Sequence, residues 1–219
     1  MAKKTAAPAA TEQRGGLATV IVGVVVIAVL ASVFGGPRVE PPGPVLLMGD
    51  SLFWFAGPNM RAALAEDGWE THIEAEPGAG ISGGGYTDVD WHTRVREVAG
   101  ARDYEVAVIE LGTNGCQCSW ARAAIDDIMG ALEEVEVVLW LNVRTEGVRP
   151  GAEQARLLND ALEAATDRWP NLEVVDYDSW LDDDPSLVGE DTVHLTPAGY
   201  LVMAANVRAE LRDLADIDG

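Results

Sequence analysis

Three polar residues have the types and spacing that acyl transfer chemistry requires. Ser51 comes almost directly after an apolar run, VLLMG at 45–49. His194 follows Asp191 by three residues in GEDTVHLTPAGY, at 189–200. Such an offset across a tight turn can bring a carboxylate to the imidazole Nδ1 while Nε2 faces a nucleophile. A serine hydroxyl beside that imidazole could attack a carbonyl carbon.

Acyl transfer also needs donors for the oxyanion that forms at the carbonyl oxygen. Two glycine-containing turns follow apolar runs and could supply them: Pro77-Gly78-Ala79-Gly80 and Gly112-Thr113-Asn114-Gly115. Two further histidines, His72 and His92, are predicted to be packing or surface residues. Ser82, in GISGG, lacks the pattern of a nucleophile turn and has no strand directly before it.

The elements that must position these residues alternate between strand and helix patterns. Apolar, β-branched runs predict strands at 45–49, 71–76, 105–111, 135–143 and 172–178, and amphipathic stretches at 59–68, 121–134 and 152–169 predict helices. This alternation predicts an α/β fold with a five-stranded parallel sheet covered on both faces. Ligand sites of such sheets lie at the carboxyl ends of the strands. The serine and the two glycine-containing turns all follow predicted strands.

Four short blocks in this order resemble those of the SGNH (GDSL-type) hydrolase family, over residues 45 to about 215. They are Gly49-Asp50-Ser51-Leu52, a glycine after the second strand, Gly112-Thr113-Asn114, and Asp191-Thr192-Val193-His194. The resemblance implies a flavodoxin-like three-layer α/β/α sandwich. It also implies that Ser51 is the nucleophile, that His194 is the general base and then acid, and that Asp191 orients the imidazole.

By the same resemblance, the oxyanion hole consists of the Ser51 and Gly78 backbone N–H groups and the Asn114 side chain. Gly80 and Gly83 remain alternatives to Gly78. Asp50 is expected to shape the turn. Gly115 departs from the family pattern, which often has aspartate after the asparagine, and the variant also resembles SGNH domains of cell-envelope O-acetyltransferases.

The N-terminal part predicts membrane attachment. Residues 17–34 form an 18-residue apolar run without charge, close to the ~20 residues that cross a bilayer. Lys3, Lys4 and Arg14 precede it, so residues 1–16 are expected in the cytoplasm and the domain at 45–219 outside it, after a Pro/Gly linker at 35–44. A cleaved signal peptide is the alternative; it would leave the domain secreted.

The net charge of −21 excludes nucleic acid as an expected partner. Cys116 and Cys118 are either free thiols or a strained disulfide. The acidic run at 176–191 is expected to be a solvated loop rather than a calcium loop. No metal or organic cofactor is predicted.

The sequence thus predicts a membrane-anchored, outward-facing serine esterase that acts on an ester of an envelope glycan or lipid. An O-acetyltransferase with the same triad and a non-catalytic envelope-binding module are the alternatives. A histidine base predicts a rate that rises with pH through about 6.5. Acyl chain length and oligomeric state stay open.

Overall fold

The computed structural model describes residues 43–82, 85–115, 118–146, 151–181 and 184–215. Its strands are β1 (Pro44–Gly49), β2 (Glu70–Ala75), β3 (Val106–Glu110), β4 (Val137–Leu141) and β5 (Leu172–Val175). Its α-helices are α1 (Ser51–Ala65), α2 (Trp91–Ala99), α3 (Ala121–Ala131), α4 (Ala152–Thr166) and α5 (Pro197–Leu214). Short 3-10 helices cover Cys118–Trp120, Asp178–Leu181 and Pro185–Leu187.

The five strands form one parallel sheet in the order β2-β1-β3-β4-β5. Its two faces carry separate apolar clusters. On one face, Leu47 packs with residues of α1 and α5; on the other, Leu46 packs with residues of α2, α3 and α4. The predicted α/β fold with a five-stranded parallel sheet covered on both faces is therefore confirmed.

Element ends differ from the prediction where side chains from elsewhere in the chain intervene. The fourth strand was expected to reach Val143, but it ends at Leu141 because Asn159 of α4 binds both the backbone N–H and the carbonyl of Val143. The first strand begins at Pro44, which the prediction assigned to the linker; its carbonyl accepts a hydrogen bond from Glu105 N–H.

The first helix begins at Ser51 rather than at residue 59, because Asp50 accepts a hydrogen bond from the Leu52 N–H, at 3.0 Å, and caps it. The predicted transmembrane anchor at 17–34 and nearly all of the linker lie outside the described residues. In the part of the chain that the structure describes, no helix is long and apolar enough to span a membrane.

Candidate active site

Ser51 lies at the carboxyl edge of the sheet because the chain turns from β1 directly into α1. Gly49 permits this turn, since a Cβ there would lie 2.8 Å from the Phe53 Cβ and 3.0 Å from the Glu110 carbonyl oxygen. Ser51 is the first residue of α1, where backbone N–H groups have no partner within the helix. The hydroxyl is therefore held beside a helix N-terminus, whose dipole favours negative charge.

The imidazole of His194 lies between Ser51 and Asp191. Its Nε2 is 2.9 Å from Ser51 Oγ, and its Nδ1 is 2.6 Å from Asp191 Oδ2. The other carboxylate oxygen of Asp191 accepts hydrogen bonds from the Val193 and His194 N–H groups, at 3.1 and 2.9 Å. The hydrogen bond from His194 is the main cause that lowers the pKa of Asp191 to about 2. The three residues predicted to act together are thus brought together, with Asp191 ionised at neutral pH.

The loop that carries Asp191 and His194 is held in an unusual backbone conformation. Thr192 has a φ of +63°, a left-handed geometry that β-branched residues rarely adopt. Its carbonyl oxygen accepts a hydrogen bond from Arg144, at 3.2 Å, and the Gly189 N–H closes the loop on the His194 carbonyl at 2.7 Å. Thr196 ends the loop by capping α5.

Of the glycines proposed for the oxyanion hole, Gly78 lines the cleft around Ser51 and has a φ of +82°. Gly80 instead forms an isolated bridge with Asp90, and Gly83 lies outside the described residues. Asn114 also lines the cleft. Its Nδ2 donates to Asp50 Oδ2 at 2.8 Å and, more weakly, to the Ala79 carbonyl at 3.3 Å.

The cleft has a volume of about 520 Å³ and two exposed aromatic walls. Phe55 packs edge-on against His194, with ring centroids 5.5 Å apart, and Tyr86 stands on the Gly78 side. The aromatic residues after Ser51 are divided between the core and the cleft. Phe53 is fully buried in the core, whereas Phe55 belongs to the cleft.

The remaining predicted residues lie apart from the cleft. His72 binds Tyr104 and Glu74, and His92 lies 3.5 Å from Asp90. Neither histidine is among the residues that line the cleft. Cys116 lies outside the described residues. A larger groove of about 700 Å³ lies between α1 and α5, and its lining of alanines and charged residues includes no serine, cysteine or histidine.

Two carboxylates of the acidic run accept hydrogen bonds from the segment that follows β4. Asp176 accepts from Asn142, and Asp178 accepts from Thr145. Among the described residues, no group of three or more His, Cys, Asp or Glu side chains is arranged to hold a metal ion.

Sequence reasoning missed one acidic side chain next to the site. Glu110 ends β3 and is only 3% exposed, although the surrounding residues of its strand are apolar. It contacts Thr113 and Asp50, and Asp50 in turn binds Asn114. A single charge at the carboxyl end of the apolar run VAVIE was the available signal.

Comparisons with known proteins identify the family and the shared fold. The model of the GDSL-like lipase/acylhydrolase family matches residues 47–202. No curated protein sequence matches the chain.

Solved structures share the fold at low sequence identity. The catalytic domain of peptidoglycan O-acetyltransferase A from Streptococcus pneumoniae has a TM-score of 0.58 and 18% identity, and the match covers 80% of this chain and 95% of that one. The family 3 carbohydrate esterase of Clostridium thermocellum has a TM-score of 0.61 and 14% identity, over 80% and 99% of the two chains. Esterase EstA of a Pseudoalteromonas species has a TM-score of 0.56 and 12% identity, and the match covers 80% of this chain and 97% of that one. With the family match over most of the domain, the chain belongs to the GDSL-like lipase/acylhydrolase (SGNH hydrolase) family and is an esterase or acylhydrolase of that type.

Proposed function

We propose that this esterase cleaves its substrate through an acyl-enzyme on Ser51 and that it works outside the cytoplasm, anchored by the apolar segment at 17–34. The observation that carries the first part is the pair of contacts made by His194. Its Nε2 lies 2.9 Å from Ser51 Oγ while Asp191 holds its Nδ1. In this arrangement the imidazole can accept the hydroxyl proton.

In the first step Ser51 Oγ attacks the ester carbonyl carbon as its proton moves to His194 Nε2. The carbonyl oxygen becomes an oxyanion, which the Ser51 and Gly78 N–H groups and Asn114 Nδ2 stabilise. The weak hydrogen bond from Asn114 to the Ala79 carbonyl, at 3.3 Å, is the one that the oxyanion replaces. His194 then gives the proton to the leaving alcohol, and the acyl group stays on Ser51.

In the second step a water molecule attacks the acyl-enzyme. His194 takes the proton from this water and returns it to Ser51 Oγ as the acid leaves. Asp191 stays ionised throughout and stabilises the imidazolium, because its pKa is lowered to about 2 chiefly by the hydrogen bond from His194.

The proposed substrate is an ester of a cell-envelope glycan or lipid. This follows from the predicted outward topology and from an open cleft with aromatic walls, Phe55 and Tyr86, which suits a bulky and uncharged alcohol part. The net charge of −21 disfavours strongly anionic substrates.

A second candidate is transfer of the acyl group to a glycan hydroxyl. It is favoured by Gly115, which follows Asn114 in place of the more frequent aspartate, and by the likeness to the pneumococcal O-acetyltransferase domain. In that reaction a sugar hydroxyl replaces water in the second step. Acetylated glycan formed from p-nitrophenyl acetate and a glycan acceptor would favour transfer, and release of acetate alone would favour hydrolysis.

The test is mass spectrometry of the full-length protein after treatment with a fluorophosphonate, together with turnover of p-nitrophenyl acetate. A single adduct on Ser51 and loss of turnover in Ser51→Ala are expected. Ser82→Ala is the matched control and should keep both properties. Absence of an adduct and of turnover in the wild type would favour a non-catalytic binding module.

The anchor is tested separately. Full-length protein in the membrane fraction, with residues 1–16 intact and the domain open to external protease, is expected. A mature protein that begins after Ala31 would indicate a cleaved signal peptide instead.

A further inference from the structure

A buried acidic cluster lies directly beneath the cleft, where the mechanism above assigns no chemistry. Asp50, Glu110 and Thr113 are 0%, 3% and 4% exposed. The first two meet because Gly49 of β1 pairs with Glu110 of β3 in the sheet register. Two buried carboxylates side by side would be strongly unfavourable if both were ionised.

The contacts indicate which carboxyl group carries a proton. Asp50 accepts hydrogen bonds from the Leu52 N–H at 3.0 Å and from Asn114 Nδ2 at 2.8 Å, so both its oxygens serve as acceptors. Glu110 Oε1 accepts from the Thr113 hydroxyl at 3.3 Å. Among the described residues, no N–H or hydroxyl group donates to its buried Oε2, and its carboxyl group interacts with that of Asp50. A carboxyl–carboxylate hydrogen bond requires one proton, and Glu110 has fewer donors to stabilise its charge.

The effect of burial on the pKa values of Glu110 and Asp50 also favours a proton on Glu110. It raises the pKa of Glu110 well above its ordinary value, and the neighbouring charge of Asp50 raises it further. Burial also raises the pKa of Asp50, to about 6, against the opposing effect of the hydrogen bond from Glu110. The contacts and the directions of these shifts therefore agree in assigning the shared proton of the pair to Glu110 and the negative charge to Asp50.

We propose that Glu110 is a positioning residue of the oxyanion hole, acting through Asp50 on the carboxamide of Asn114. The inference rests on the function proposed above. Protonated Glu110 donates to Asp50, and the carboxylate of Asp50 fixes Asn114 Nδ2. The second Nδ2 hydrogen, which donates weakly to the Ala79 carbonyl at 3.3 Å, is then placed to transfer to the oxyanion. Loss of the Glu110 proton would break the first hydrogen bond and add a second negative charge beneath the developing oxyanion.

The other titratable and charged groups near this pair come from α5, from the loop that carries His194 and from the segments that follow β4 and β5. Tyr177, after β5, and Tyr200, on α5, are held neutral because burial raises their pKa values, that of Tyr200 to about 12. The charge of His194 lowers the pKa of Asp50, and the charge of Arg144 lowers the pKa of Tyr177, in both cases against the larger effect of burial. The β4 neighbour of Glu110 is the apolar Leu141.

The experiment compares Glu110→Gln and Glu110→Ala in the full-length protein, with p-nitrophenyl acetate as the probe. Glutamine keeps a donor for Asp50 and an acceptor for Thr113, so kcat should stay within about threefold of the wild type. Alanine should lower kcat by roughly 10- to 100-fold with KM unchanged, because the Asn114 contact strengthens only in the transition state. Glu105→Ala is the control and should not change kcat, because Glu105 is exposed and directly precedes β3, at the end of the strand opposite to Glu110.

A double-mutant cycle distinguishes positioning from a general structural effect. Asn114→Ala should lower kcat by about 10²- to 10³-fold, and adding Glu110→Ala should lower it no further, since the residue acts through Asn114. Losses that multiply in the double variant would overturn the inference, and so would a Glu110→Gln variant as impaired as Glu110→Ala.

The pH profile gives a second readout that does not depend on the stability of the alanine variant. In the wild type kcat should fall at alkaline pH as Glu110 loses its proton, whereas in Glu110→Gln it should stay level. Identical alkaline profiles would contradict the inference. If the wild type forms no fluorophosphonate adduct on Ser51, both the proposed function and this inference are wrong. If the wild type is labelled and active but the kcat losses of Glu110→Ala and Asn114→Ala multiply in the double variant, only this inference is wrong.

Discussion

Gly112, between β3 and Asn114, occupies a position that leaves no room for a side chain. A Cβ there would lie 2.3 Å from Leu158 Cδ2 and 2.7 Å from Val143 Cγ2, and both side chains are buried in the core. Its φ of +126° also lies in a region that other residues rarely adopt. The backbone strain costs about 1–3 kcal/mol, and overpacking costs about 1–3 kcal/mol more.

Gly112→Ala should therefore lower the free energy of unfolding by about 2–6 kcal/mol, a large part of the ~5–15 kcal/mol typical of a domain. Gly112 lies two residues before Asn114, so a backbone shift at Gly112 would also displace the Asn114 side chain. The kcat should therefore fall as well, because displacement of a group that acts in the reaction by about 1 Å can lower the rate 10²-fold.

Gly130 provides the matched control, because alanine adds the same methyl group there without a clash. It lies within α3, and a Cβ would meet only Trp169 Cη2, at 3.8 Å. Gly130→Ala should raise the free energy of unfolding by about 0.5–1 kcal/mol. Urea unfolding, followed by near-ultraviolet circular dichroism, measures both variants, and p-nitrophenyl acetate turnover measures kcat. Stability of Gly112→Ala within about 0.5 kcal/mol of the wild type, alongside a stabilised Gly130→Ala, would refute this reasoning.

Two further substitutions test the catalytic loop and a surface-side ion pair. Asp191→Asn keeps an oxygen to cap the loop but can no longer accept from His194 Nδ1–H, so kcat should fall by up to about 10⁴-fold with little change in the unfolding temperature; a loss under tenfold would contradict the assigned role. Asp67 is 6% exposed and binds Arg208 at 2.6 and 2.8 Å, so Asp67→Asn should destabilise the domain by roughly 2–4 kcal/mol at pH 7. Because Arg208 lowers the pKa of Asp67, this stabilisation is present above the ordinary aspartate pKa of ~3.9 and is lost as pH falls below it, so the two proteins should converge in acid. Glu66→Gln, on an exposed partner of the same arginine, should change stability by less than about 0.5 kcal/mol, and a larger effect than that of Asp67→Asn would reverse the assignment.

Local patterns were sufficient to predict that Ser51, Asp191 and His194 come together. Ser51 directly follows a continuous apolar run, and Asp191 and His194 belong to one short loop, so their relation depends on a few neighbouring residues. The edge of the sheet at which they meet follows from the parallel strand arrangement, since carboxyl ends lie together. Their mutual contact across 143 residues could then be inferred without knowledge of the core.

Contacts between distant segments limited what the sequence could show. The end of β4 depends on Asn159, which lies 16 residues beyond Val143 on another element. Glu110 could be read only as the polar end of a strand, because its burial depends on β1 and β4 on either side of it. Gly78 could not be separated from Gly80 by sequence, as the two differ only in how the loop folds over the cleft.

The contacts of Asp50 explain why the residue before the nucleophile is an aspartate. Capping of α1 alone would not require it, because serine, threonine and asparagine cap helices as well. An asparagine would accept from the Leu52 N–H but would turn its own NH₂ group toward the donor of Asn114. Only a carboxylate offers acceptors to Leu52 and to Asn114, at 2.8 Å, and can also accept from the proton that we propose on Glu110. The start of α1, the Asn114 side chain and the buried Glu110 thus adjoin one side chain, so the role proposed for Asp50 includes the site as well as the turn.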